Sequence, residues 1–274
     1  MKQMADEEKI RAYYTHMEPR KQYQLKPKAM KIVTTNIDRL VESQRELIIG
    51  SYDQFLRFGG PCVYFHLQCL AEGKRDFLSP RHIEMLYATL TAWGMHRMGD
   101  SERTKTKLSE WDRFSESFYR NKEVLEKIRE NSMSEMSSDE YARSLQDLKD
   151  LYLHLDLTEA DSTLVVNSKA LFHLFPEYIP PIDRKYTLRF LLKSPDQWMT
   201  PDKKFRPIML PQGKANQFAW FEETCNVFKD MLDRLDTGHI AEERRRNQVT
   251  PPKIIDNAIV HYVRIISGKI EGTD

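Results

Sequence analysis

Glycine is scarce in this chain, 10 of 274 residues, against a usual share of about 7%. Sustained polar–apolar alternation is also missing, so sheet architectures are disfavoured and helices are expected. Cysteine is scarcer still. Cys62, Cys69 and Cys225 are too few and too irregularly spaced for a disulfide framework, and no CxxC or Cys/His spacing outlines a zinc site. A reducing, cytoplasmic setting is the expectation, with no metal and no cofactor. No run approaches the roughly 18 apolar residues that a membrane span needs, and residues 1–14 are charged, with no apolar signal core. Nor does one sign of charge dominate: 42 Lys and Arg face 41 Asp and Glu, a formal net charge of +1. A global field for nucleic acid or an anionic membrane is therefore absent, and any electrostatic site must be local.

What is present is a large apolar stock, 40% of residues, with 13 Phe, 12 Tyr and 4 Trp, enough for a sizeable core. Ile32, Ile37, Leu40, Leu47 and Ile48 step along one face of a first helix that stops before Gly59-Gly60. Pro61 suits the first turn of a second helix through Cys62, Val63, Phe65 and Leu70, closed near Gly73. Ser79-Pro80 reads as a cap and first turn for a helix carrying Ile83, Leu86, Tyr87, Leu90 and Trp93. One helix is expected from Leu108 through Trp111, Phe118, Leu125 and Ile128. After a Ser- and Met-rich joint at 131–138, expected to be flexible, Ser137 and Glu140 form a capping box before Tyr141, Leu145, Leu148 and Leu151.

Further on, Pro195, Pro201, Pro207 and Pro211 prevent one regular element between 194 and 213, giving a long loop. Phe218, Phe221, Cys225, Phe228, Leu232 and Leu235 then step by three and four, and a last helix after Thr250-Pro251-Pro252 buries Ile255, Ile259, Val263 and Ile266. The charged run 242–246 is expected to be a solvated connection between these two helices. The fold class is all-α, a compact multi-helix globule read as one domain over 1–274. If it divides, the lobes are 28–130 and 138–274, with 1–27 as an N-terminal extension.

Local charge is uneven. Residues 135–161 hold eight acidic against two basic residues, whereas 183–214 hold eight basic against three acidic. At that reversal sits the segment Asn167-Ser168-Lys169-Ala170-Leu171-Phe172-His173-Leu174-Phe175-Pro176, followed by Pro180-Pro181-Ile182-Asp183-Arg184-Lys185-Tyr186-Thr187-Leu188-Arg189-Phe190. Its order is short helix, rigid turn, acid, helix. Two readings of Asp183 stand side by side. It can cap exposed backbone N–H groups, or it can share a pocket with Lys169, whose desolvated amine becomes a nucleophile toward an electrophilic carbon.

Ser168-Lys169-Ala170, Pro181-Ile182-Asp183 and Arg189 resemble the helix-hairpin-helix DNA glycosylases over residues 164–190. The segment is also similar to stretches of uncharacterised prokaryotic all-helical proteins, which implies no activity. The glycosylase resemblance implies an all-helical fold, DNA or other nucleic acid as partner, Lys169 as nucleophile and Asp183 as the essential carboxylate. The chain departs from that pattern in having no glycine in Val165-Val166-Asn167-Ser168 and in placing Arg189 one residue later after the aspartate. Expected phosphate contacts are Ser168, Arg184, Lys185, Arg189, Lys193, Lys203, Lys204 and Arg206. The rival class is a non-enzymatic interaction or scaffold protein with Lys169 in solvent and Asp183 as a cap. Tyr64, Trp93 and Arg97 are candidates for lining a pocket for a planar ligand, and His66 with Cys69 reads as packed core, since two ligands do not make a metal site.

Overall fold

In a computed structural model the described residues are 27–45, 47–48, 61–95, 108–159, 162–200, 204–206 and 208–268. The elements are α1 (Pro27–Glu42), α2 (Pro61–Arg75), α3 (Pro80–Leu90), α4 (Trp111–Tyr119), α5 (Lys122–Ile128), α6 (Ser138–Asp147), α7 (Lys149–His154), α8 (Leu164–Leu174), α9 (Thr187–Leu192), α10 (Lys214–Arg234), α11 (Thr237–Asn247) and α12 (Pro251–Ile266). Among the described residues there is no strand, only the isolated bridges Leu108 to Thr158 and Met199 to Phe205. No helix there is long and apolar enough to cross a membrane. The chain is mostly helical, as the scarcity of glycine requires.

Local signals set most helix starts. Ser79 accepts from the His82 N–H, with Pro80 in the first turn of α3. Ser137 and Glu140 close the capping box of α6, and Asp236 caps α11 through the His239 N–H. One continuous core then joins the elements, from Ile37 and Leu40 of α1 to Ile259 and Val263 of α12. Helix α10 runs through it, burying Phe218, Phe221, Cys225, Phe228 and Leu232 against α6, α7, α8 and α12. The first helix, distant in sequence, is tied in by Asn36, whose Nδ2 donates to the Phe190 carbonyl at 2.5 Å and the Lys193 carbonyl at 3.2 Å.

Several expectations need correction. The helix expected over 108–128 is broken, because the Asn121 side chain bonds the Ser117 carbonyl at 2.7 Å and competes with the backbone ladder; α4 and α5 result. The charged run 242–246 lies inside α11, which ends at Gln248 in the left-handed region (φ 53°). The joint at 131–138 is anchored. Met133 is fully buried and its N–H donates to the Glu177 carbonyl at 2.9 Å. Gly73 does not close α2, which continues to Arg75; it is small because a Cβ there would come within 2.8 Å of the His82 ring. Ile266 is 47% exposed, beyond the buried stripe of α12. The loop after 194 contains a 3-10 turn, Pro195–Gln197, and buries Trp198, whose Nε1 donates to the Lys193 carbonyl at 2.8 Å.

Candidate binding site

Helix α8 is enclosed on nearly every side, with Leu164, Val166, Asn167, Ser168, Ala170, Leu171, Phe172, His173 and Leu174 buried. Its mean hydropathy is high because no face is reserved for water, so the polar residues it carries are held inside. Lys169, Phe172 and His173 turn toward α2 and Trp93. The Lys169 ammonium lies 5.0 Å from the Trp93 ring centroid. Gly94, at φ 79°, lets the chain leave the π turn immediately after Trp93, and Trp93 Nε1 donates to the Cys62 carbonyl at 3.1 Å. The His66 ring stacks on Phe172 at 5.7 Å and 15°, and Trp93 meets His173 edge-on at 4.8 Å.

These side chains border a cavity of about 290 Å³, lined by Cys62, Val63, His66, Leu67, Leu70, Trp93 and Phe172 on one side. The segment from Asn247 to Thr250, with Lys253 and Asn257, forms the other side. The α11–α12 junction thus completes a wall begun by α2 and Trp93. Two polar atoms at this wall, Thr250 Oγ1 and Asn257 Oδ1, are buried with no hydrogen-bond partner among the described residues. Leaving a buried polar atom unpaired costs about 1–3 kcal/mol.

Charges gather beside the cavity. Lys253 pairs with Asp256 at 2.6 Å, and the Thr187 hydroxyl donates to the same carboxylate at 3.5 Å. Burial pushes the Asp256 carboxyl above its usual range, opposed by Lys253. Burial also lowers the Lys169 pKa, while the nearby Asp183 and Asp256 carboxylates hold it up. Neither Lys169 nor Asp183 lines the cavity; the lysine on its wall is Lys253. Burial lowers His66 to about 3 and His173 well below the usual histidine range, so both rings are neutral.

Asp183 has a structural duty. Its Oδ1 accepts from the Tyr186 N–H at 2.6 Å, holding the turn that leads into α9, which begins four residues later than the acid. Ser168, expected on phosphate, is fully buried and bonds the backbone of Ile182. Arg189 is also removed from any strand: 3% exposed, it donates through Nη2 to the Arg206 carbonyl at 2.6 Å and lies 4.1 Å over the Phe205 ring. Expected on phosphate, this arginine is instead packed against Phe205.

Arg184, Lys185, Lys204 and Arg206 do sit at the surface, and the Lys185 ammonium lies over the Tyr186 and Phe205 rings. Lys193 is half-buried. Lys203 and Arg97 lie outside the described residues. Tyr64 is 55% exposed and does not line the cavity, whereas Trp93 does. Cys69 is core, fully buried with its thiol pushed up to about 12 by burial. Among the described residues no group of three or more His, Cys, Asp or Glu could hold a metal.

His173, Lys253, Asp256 and Asn257 escape the sequence reading. A signal was available: Asp256-Asn257 interrupts Ile254-Ile255 and Ala258-Ile259-Val260, and polar residues inside a fully buried run need a reason. No family model, no curated protein and no solved structure matches this chain.

Proposed function

We propose that this protein binds nucleic acid and receives one unstacked base in the cavity between α2, Trp93 and the α11–α12 junction. The observation that carries this reading is the wall itself. Its lining combines the aromatic rings of Trp93, His66 and Phe172, in contact with one another, with the amide side chains Asn247 and Gln248 and with Lys253. A planar heterocycle satisfies both halves, stacking on the rings and bonding the amides through its edge. The volume, about 290 Å³, is at the small end of ligand sites, which start at about 300 Å³, and suits a single base or nucleoside. Phosphates of the flanking chain would be met by the exposed Arg184, Lys185, Lys204 and Arg206.

Binding, not excision, is the activity the wall supports. Lys169 carries a desolvated amine, the property a nucleophile needs, but its ammonium rests on Trp93 and does not border the cavity. Glycosylase or lyase chemistry by Lys169 and Asp183 would require Trp93 to leave that face.

A titration of the protein with single-stranded oligonucleotide and with free nucleosides, followed by tryptophan fluorescence, tests the reading. Binding to both, weakened about tenfold or more by Trp93→Ala, is expected, since stacking contributes about 1–3 kcal/mol per base. Oligonucleotide affinity should fall as salt rises, and nucleoside affinity should not. Nucleosides alone would mark a small-molecule site; no binding of either would end the proposal. A borohydride-trapped adduct on an abasic oligonucleotide, lost in Lys169→Ala, would restore catalysis.

A second reading has one observation behind it. Tyr64 and Leu67 are 55% and 56% exposed on α2, as in a protein-docking surface. Tyr64→Ser, at a residue outside the cavity lining, would leave oligonucleotide binding intact and abolish a protein contact.

A further inference from the structure

The Lys169 carbonyl can only accept a hydrogen bond. His173 Nδ1 lies 2.7 Å from it and must therefore carry the proton. His173 is neutral, so its Nε2 holds a lone pair. His66 Nδ1 lies 3.0 Å from that nitrogen and must be the donor between the two rings. One proton remains on a neutral imidazole, and it is now placed; His66 Nε2 is bare. Among the described residues no group bonds this nitrogen, and it belongs to a ring that lines the cavity.

We infer that a relay from the Lys169 carbonyl through His173 fixes His66 as its Nδ1–H tautomer, so that the cavity offers an acceptor and selects ligands presenting an N–H donor at that point. The ligand class rests on the base-binding reading above; the tautomer does not. Packing holds the relay in place. His173 is 2% exposed and wedged against Trp93 and Phe172, and the His66 ring is stacked on Phe172, so neither ring can turn without breaking an aromatic contact. Of the other lining side chains Lys253 supplies only donors, whereas Asn247 and Gln248 supply both. A heterocycle bearing an amino group, as in adenine and cytosine, gives His66 its donor. His66 is a specificity-determining residue here, and His173 a positioning residue that acts through it.

Nitrogen-15 spectra of the histidine-labelled, ligand-free protein decide the tautomer directly, because protonated and bare ring nitrogens resonate far apart. His66 with Nδ1 protonated and Nε2 bare is expected; His66 with Nε2 protonated overturns the relay. In His173→Phe, which keeps the aromatic volume, the fixed pattern should give way to averaged tautomers, and an unchanged pattern overturns the role of His173. If that variant does not fold, the wild-type spectra still decide. For selectivity the probes are adenosine against purine riboside, and cytidine against its analogue lacking the 4-amino group. The donor-bearing member should bind about tenfold or more tightly, and His66→Phe should level the pair. Equal affinities in a protein whose His66 is Nδ1–H overturn the selectivity. Failure of every nucleoside to bind overturns the base-binding reading and with it the ligand class, while the spectra still stand or fall for the relay.

Discussion

The Ser168 hydroxyl meets both backbone polar groups of Ile182, accepting from its N–H at 3.2 Å and reaching its carbonyl at 3.3 Å. Fourteen residues apart, the two positions bind the middle of α8 to the segment that carries Asp183. The first prediction follows from this contact: Ser168→Ala leaves the buried Ile182 N–H without its acceptor and should lower stability by about 1–3 kcal/mol. Urea unfolding measures it; a loss within a few tenths would show that Ile182 finds another partner.

Gly73→Ala opposes two effects. In a helix interior alanine is favoured over glycine by about 1 kcal/mol, but here the new methyl would lie 2.8 Å from two atoms of the His82 ring. His82 is fully buried and its Nδ1 accepts the Leu78 N–H at 3.2 Å, so it cannot step aside. Overpacking of this kind costs about 1–3 kcal/mol, and the net change in melting temperature should be downward. A rise would mean that α2 and α3 slide apart cheaply.

Acid should weaken the fold through its buried histidines, an effect partly offset by Asp256, whose carboxyl burial raises. Burial lowers His66 from 6.5 to about 3 and His82 to about 4. Below pH 6.5 the unfolded chain therefore takes up protons that the folded one refuses. Stability is complete above that pH and falls as pH drops through the window toward 4 and 3, by up to about 1.4 kcal/mol per pH unit for each ring. Calorimetry between pH 7.5 and about 5, above the usual carboxylate range, checks this; a flat profile contradicts it.

Asp183→Asn separates the two duties of the aspartate. The amide oxygen can still accept the Tyr186 N–H, so the turn survives, whereas the negative charge that holds up the Lys169 pKa is gone. Competitive acetylation of Lys169 across pH should show its amine deprotonating at still lower pH in this variant. Asp183→Ala should add a loss of about 1 kcal/mol as the turn loses its cap. An unchanged Lys169 titration would place the two groups out of electrostatic reach.

The helices that bury one stripe were legible in the sequence, because a step of three and four residues is a local property. Phe218 to Leu232 shows it, as do the caps at Ser79 and Ser137. Helix α11 was not, since Glu242-Glu243-Arg244-Arg245-Arg246 carries no apolar period; its start is set by Asp236 and its end by a left-handed Gln248. Trp93, singled out as a pocket candidate from its place at the end of a core helix beside a glycine, lines the cavity. The rest of the cavity escaped because His66, Phe172 and Lys253 are neighbours only after folding. Ser168 and Arg189 were misassigned for the opposite reason: a motif gives residue types, but their burial, which turned both into packing groups, comes from elements outside it.

The two faces of the cavity belong to segments separated by well over a hundred residues, 62–93 and 247–257. Whatever occupies it acts as a rivet between them. An occupant at a hundred times its dissociation constant would raise the unfolding free energy by about 2.7 kcal/mol. Candidate molecules would therefore announce themselves by delaying thermal collapse, with no assay of turnover required.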